Sequence, residues 1–210
     1  MVYRRSFLIV AGSSVAGTDD VSHLLQEVTS RAVELNGRLT WSLEEVWSAG
    51  SWHDRREAWS RVPALVDWLG SERLTPIQMS NLRARITVIG RRLAKPIRYL
   101  LKDQGGFCPP GRWAWHAGGL QPRTIRLCPP FLAEASTPDL IDRQAAVVVH
   151  EIAHGLWRLW VPGTRIGLIP GTMHPRGTRT ALHARELARS HPTLARVSPT
   201  NLGLAHLATR

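Results

Sequence analysis

The sequence lacks long apolar runs and has very little cysteine or lysine. No stretch of eighteen consecutive apolar residues occurs, so we expect no helix that spans a membrane. Lys95 and Lys102 are the only lysines, and the remaining basic residues are arginines. Cys108 and Cys128 both stand before Pro-Pro, and this spacing does not match the paired cysteines of a small zinc knuckle. A chain of 210 residues can bury a core without depending on disulfides.

The composition is that of an ordinary globular protein. Hydrophobic residues make up 43% and charged residues 20% of the chain, which excludes wholesale disorder. We found no internal repeats and no low-complexity tract. The length suits one structural domain, with a helical part over residues 18–104 followed by a part with short strand-like runs over residues 105–210.

Positive charge is unevenly distributed. The net charge is +11, and beyond His154 eight arginines face a single acid, Glu186. Such a field could attract nucleic acid, an anionic surface or an acidic substrate. No nucleic-acid motif accompanies the charge, so a solvated basic face is the favoured interpretation and a nucleic-acid partner is not.

The first 17 residues have two interpretations. Arg4-Arg5, a Phe-Leu pair and a mild apolar stretch ending in Ser14-Val15-Ala16 resemble a twin-arginine export signal. The alternative is a first β-strand over residues 6–10, ended by a Gly-Ser turn. The first interpretation predicts a secreted or extracytoplasmic protein, and the second leaves a cytoplasmic one open.

Helical periodicity dominates the first half. Apolar residues recur at helical spacing from Asp19 to Leu35, and Asn36-Gly37 is expected to end that helix. A capping-box pattern at Ser42 predicts a second short helix, and the Trp-rich residues 51–70 predict two more, broken near Pro63. Thr75-Pro76 opens a helix to about residue 94, whose inward positions are Ile77, Leu82, Ile86, Ile89 and Leu93.

The second half contains short strand-like runs. Residues 113–116 and 124–127 flank a Gly- and Pro-containing loop and predict a β-hairpin. Thr137-Pro138-Asp139 has the cap, proline and acid that begin a helix. A loop rich in proline and glycine follows Trp160, and a last helix is expected from about Thr180 to Ser190.

The helix that begins near residue 138 contains His150-Glu151-Ile152-Ala153-His154. Residues four apart lie on the same face of a helix, so His150 and His154 can direct two imidazole nitrogens at one zinc ion. Glu151 can then act as general base on a zinc-bound water that attacks a peptide carbonyl. Apolar residues surround the motif on both sides, and a pair of histidines and a glutamate would be costly there unless ligated or hydrogen bonded. Satisfied polar groups in a core are the alternative.

From this motif and its surroundings, the chain resembles the aspzincin metallopeptidases, which include deuterolysin and the fungal lysine-specific metalloendopeptidases. Residues 67–70 (Asp-Trp-Leu-Gly) are similar to that family's Trp-Phe-Gly segment, and residues 125–131 to its strand and Cys-x-x-Phe segment. Leu187-Ala188 with Pro192-x-x-Ala195 is similar to its C-terminal helix-turn. The resemblance covers about residues 18–200. It implies a mainly helical α+β fold of the zincin type, with a small sheet and the His-Glu-x-x-His motif on the active-site helix.

The third zinc ligand departs from the family pattern. The family has an aspartate in Gly-Thr-x-Asp, whereas this chain has Gly171-Thr172-Met173-His174 and no aspartate beyond Asp142. His174 is therefore the first candidate and Glu186 the second, because imidazole and carboxylate both bind zinc. The remaining histidines after the motif, His183, His191 and His206, are expected at the surface. The family's tyrosine is also missing, which leaves Arg176 or His183 as candidate donors to the transition state.

The resemblance further implies a disulfide between Cys108 and Cys128, which an export signal and an oxidising compartment would agree with. Two buried thiols are the alternative.

The sequence thus predicts a zinc-dependent metalloendopeptidase that cleaves a protein or peptide substrate, with His150, His154 and His174 as metal ligands and Glu151 as catalytic residue. The alternative from another class is a catalytically inactive protein of the same fold, in which the basic C-terminal region binds an acidic partner.

Overall fold

The computed structural model describes residues 8–10, 18–71, 74–101, 108, 112–116, 123–132, 137–154 and 179–209. These ranges are mostly helical and include a small sheet, as predicted. The strands are β1 (Leu8–Val10), β2 (Arg98–Leu101), β3 (Ala114–His116) and β4 (Thr124–Leu127). The helices are α1 (Thr18–Ser48), α2 (Trp52–Ser60), α3 (Pro63–Leu69), α4 (Pro76–Leu93), α5 (Pro129–Leu132), α6 (Pro138–His154), α7 (Arg179–Ser190), α8 (Pro192–Ala195) and α9 (Pro199–Ala208).

The four strands form one sheet in the order β1-β2-β4-β3. Strand β3 pairs with β4 antiparallel, with Trp115 opposite Arg126, so the predicted hairpin is confirmed. Strands β1 and β2 add to it in parallel register. Strand β1 lies where the strand interpretation of the N-terminus placed it, and the export signal stays a prediction.

Helix α1 corrects two predictions. It runs without a break from Thr18 to Ser48, whereas Asn36-Gly37 was expected to end the helix and Ser42 to begin another. The apolar stripe continues past the expected stop, because Leu39, Leu43 and Val46 are at most 1% exposed. Ser42 does not cap a helix, since its hydroxyl donates to the carbonyl of Arg38 in the preceding turn.

Tertiary contacts explain why the Asn-Gly pair is tolerated. Asn36 is buried, and its side-chain oxygen lies 3.1 Å from Nε2 of His206 on α9. Gly90 on α4 lies so close that a Cβ there would stand 2.6 Å from the Asn36 amide nitrogen. Packing of α1 between two helices therefore outweighs the local cost of about 1 kcal/mol for Gly37 in a helix.

Helices α2 to α4 follow the sequence prediction closely. Pro63 begins α3 at the predicted break, and Thr75 caps α4 in a reciprocal capping box with Gln78. One inward position was wrong, because Ile77 is 73% exposed. It lies in the first turn, where Met79 turns toward the core instead.

Cys108 and Cys128 form a disulfide, with Cα atoms 5.6 Å apart and a sequence separation of 20. The bond implied by the family resemblance is therefore present. It joins Cys108 to the end of β4, where the Cys128 backbone N–H donates to the carbonyl of Trp113. The hairpin is thus closed by both a covalent and a hydrogen bond.

The core surrounds α6, which contacts α1, α4, α9 and strand β3. Helix α7 matches the predicted last helix to within one residue, but α8 and α9 were not predicted. No helix in the described ranges has the length and apolar character needed to cross a membrane.

Candidate metal centre

Helix α6 begins where the sequence predicted and carries the His-Glu-Ile-Ala-His motif in its last turn. The Thr137 hydroxyl accepts from the Leu140 N–H at its first turn. Gln144, fully buried, donates to the carbonyl of Phe131 at 2.6 Å. Arg31 of α1 forms an ion pair with the largely buried Asp142. These polar contacts fix the rotation of α6 about its axis and therefore the direction of its last turn.

The structure brings His150, Glu151 and His154 together. Their ligand atoms all lie within 4.8 Å of one another, and the two histidine Nε2 atoms are 3.0 Å apart. The imidazole rings meet edge to face, with centroids 4.7 Å apart. Nε2 of His150 lies 3.9 Å from a carboxylate oxygen of Glu151. Both rings are partly exposed, whereas Glu151 is only 5% exposed.

This arrangement fits a metal ion. Two nitrogen ligands of a tetrahedral zinc, each about 2.0–2.1 Å from the ion, stand about 3.3 Å apart. The observed Nε2 separation of 3.0 Å is close to that value, and neutral imidazoles are preferred ligands of zinc. The group could therefore hold a metal ion between the two rings.

Glu151 lies in an environment that favours proton transfer. Burial raises the pKa of its carboxyl to about 7, although a hydrogen bond from the His116 backbone and the charge of Arg112 both lower it. A carboxyl group with a pKa close to neutrality can take up and release a proton near neutral pH. The helix thus presents two nitrogens that could bind a metal ion beside a carboxylate that can accept a proton.

His116 and Arg112 were missed as neighbours of Glu151. The sequence signal for them was the strand-like run at residues 113–116, which was assigned only to the hairpin. Packing of β3 against α6 is what brings the His116 N–H to the carboxylate. Nothing in the spacing of two segments about thirty-five residues apart indicates that contact.

The other predicted site residues have different outcomes. His174 and Arg176 lie outside the described residues. Glu186 is exposed on α7, and it does not join the metal-binding group found among the described residues. His183 and His191 are exposed, as expected.

His206 corrects the expectation of a surface position, since it is fully buried on α9. Nδ1 lies 2.6 Å from the carbonyl of Leu202, and Nε2 faces Asn36. Burial lowers the pKa of His206 to about 4, although the Leu202 hydrogen bond opposes this. The imidazole is therefore neutral in the folded protein at neutral pH.

We expect this burial to make stability depend on pH between about 6.5 and 4. In that window the unfolded chain binds a proton at this histidine and the folded chain does not, so stability falls as the pH falls. The midpoint of thermal unfolding of the metal-free protein should decline less steeply in His206→Gln than in the wild type. Leu202→Ala, on the same helix, should lower the midpoint at every pH and keep the wild-type slope. An unchanged slope in His206→Gln would contradict the assignment.

Comparison with known proteins shows a likeness to a solved structure. No protein-family model matches the sequence, and no curated protein matches it. Among solved structures, a zinc peptidase from Grifola frondosa is similar to this chain, with a TM-score of 0.55 and 17% sequence identity. The alignment covers 89% of this chain and 94% of the fungal one. The resemblance inferred from the sequence is thus confirmed at the level of the fold, and the chain shares the fold of that zinc peptidase.

Proposed function

We propose that this protein is a zinc-dependent metalloendopeptidase. One observation carries the proposal: two imidazole nitrogens 3.0 Å apart lie beside a buried carboxylate, in a chain with the fold of a zinc peptidase. His150 and His154 would hold the metal, and we assign the third ligand to His174. When bound, zinc supplies a Lewis acid that polarises a carbonyl oxygen and lowers the pKa of water.

Glu151 carries the proton transfers. Its carboxylate takes a proton from the water as the oxygen attacks the peptide carbonyl, and then gives that proton to the departing amine nitrogen. The His116 N–H holds the carboxylate in place, and the charge of Arg112 favours its ionised form. Burial excludes bulk water from the carboxylate, which keeps it a stronger base than an exposed glutamate.

We also propose that the protein functions outside the cytoplasm. The Cys108–Cys128 disulfide supports this, because such bonds persist mainly in oxidising compartments.

Zinc content and casein cleavage, measured on the same preparations, test the proposed function. We expect one zinc per chain and cleavage by the wild type, and loss of both in His174→Ala because imidazole is needed to complete the site. His191→Ala is the matched control. His191 is exposed and follows the last residue of α7, so this variant should retain zinc and cleavage.

The outcomes separate the assignment of the protein as a zinc enzyme from the assignment of His174 as the third ligand. A wild type that binds no zinc and cuts nothing would overturn the enzyme assignment and leave a non-catalytic binding protein of this fold. Zinc retained by His174→Ala would overturn only that ligand, and Glu186→Gln would then be the next variant to measure.

A further inference from the structure

A glycine of α9 lies directly against the first metal-binding histidine. Gly203 is buried in the middle of α9, although glycine is the poorest helix former after proline. A Cβ at this position would stand 3.0 Å from the carbonyl oxygen of Ala146 and 3.3 Å from Cβ of His150. Both distances are closer than ordinary van der Waals contact. The missing side chain therefore lets α9 rest on the backbone of α6 at the metal centre.

Helix α9 is held in place by contacts with helices other than α6, none of which involves His150. The Asn201 amide donates to the carbonyls of Trp68 on α3 and Ala184 on α7, both at 2.7 Å. The Ser198 hydroxyl caps the start of the helix, and the buried His206 reaches Asn36 of α1 at its other end. With both ends attached to other helices, α9 has little freedom to move away from His150.

We propose that Gly203 is a positioning residue for the metal centre, through which α9 fixes the backbone of His150 relative to His154. This inference rests on the proposed function, because it concerns the same two metal ligands. Metal–ligand distances in a well-formed site lie within about 0.2 Å of their standard values, so a comparable shift of one ligand matters. A methyl group at Gly203 would displace one of the two partners by a few tenths of an ångström. Both ends of α9 are attached to other helices, whereas His150 lies toward the C-terminal end of α6, beyond the contacts of Asp142 and Gln144. We therefore expect His150 to move.

The test is the zinc dissociation constant of the purified full chain, measured by competition with a chelator. We expect Gly203→Ala to bind zinc about 10- to 100-fold more weakly, the loss typical when the support of a metal ligand is disturbed. The visible spectrum of the Co²⁺-loaded protein should change as well, because it reports the ligand geometry. Leu202→Ala is the matched control: it removes buried volume from the same helix without adding atoms near His150. It should lower thermal stability but keep the wild-type zinc affinity and Co²⁺ spectrum.

A second variant keeps the inference testable if Gly203→Ala does not fold. Asn201→Ala releases α9 from α3 and α7 without adding bulk, and we expect it to weaken zinc binding about tenfold. Wild-type affinity in Gly203→Ala or, failing that variant, in Asn201→Ala would overturn the positioning role. An equal loss of affinity in Leu202→Ala would also overturn it, because the effect would then follow from lower stability alone. A wild type without zinc affinity would instead overturn the proposed function.

Discussion

Glu151→Gln is expected to lower peptide hydrolysis by about 10²- to 10⁴-fold, the contribution typical of a general base, while zinc content stays at the wild-type level. Glutamine has nearly the shape of glutamate but cannot accept a proton from water. The two histidines are not altered, so metal binding should persist. The measurement is the initial rate of casein or peptide cleavage, with zinc per chain determined on the same sample.

Glu57→Gln is the matched control for this variant. Glu57 is an exposed carboxylate on α2 that pairs with Arg61 on the surface, so its removal should change neither zinc content nor rate. Hydrolysis retained in Glu151→Gln would show that another group takes the proton. Zinc lost together with activity would show that Glu151 holds the metal rather than the proton.

Gly70→Ala is expected to cost about 4 kcal/mol of folding free energy, from a strained backbone and an overpacked contact together. Gly70 ends α3 with φ +69°, a conformation that residues with a side chain rarely adopt. A Cβ there would stand 2.1 Å from the carbonyl oxygen of Ala188 and 2.7 Å from Cβ of Pro192. The carbonyl of Gly70 also accepts from the Trp59 indole and the Arg196 guanidinium, so its backbone cannot turn away without breaking those bonds.

Urea denaturation of Gly70→Ala and Gly37→Ala compares the same substitution at a crowded and at an open position. Gly37 is exposed within α1 and has no atom within 4 Å of its added Cβ, so alanine there should raise stability by up to about 1 kcal/mol. The two glycine-to-alanine changes should thus shift the denaturation midpoint in opposite directions. A midpoint for Gly70→Ala within experimental error of the wild type would contradict the contacts described for this position.

Local sequence signals predicted the elements whose determinants are themselves local. Thr75-Pro76 and Thr137-Pro138 each place a cap and a proline at a helix start, and both helices begin there. The same signals failed at Asn36-Gly37, where two neighbouring helices enclose the segment. Helix α9 was missed for a related reason. Its glycine and buried polar residues weaken the amphipathic pattern. These residues make their contacts only when α3, α6 and α7 are packed against the helix.

The candidate site likewise contains groups that local sequence predicted and contacts that it did not. Two histidines and a glutamate at the spacing of His150, Glu151 and His154 meet on one helix because four residues make about one turn. Sequence therefore placed these three groups together without any knowledge of the fold. The backbone of His116, the charge of Arg112 and the contact at Gly203 come from distant segments, and no local pattern indicated them.

What the sequence determined by itself is the chemistry: the pair of histidines that could bind a metal ion, the carboxylate beside it and the helix that presents them. The sequence also determined the helix caps, the breaks at proline and the hairpin, since each depends on residues close together in the chain. Tertiary structure alone decided the environment of that chemistry. Tertiary packing around α6 buries Glu151 and raises its pKa, and the contact of α9 with α6 sets the position of His150. Burial and close contact depend on where distant parts of the chain meet.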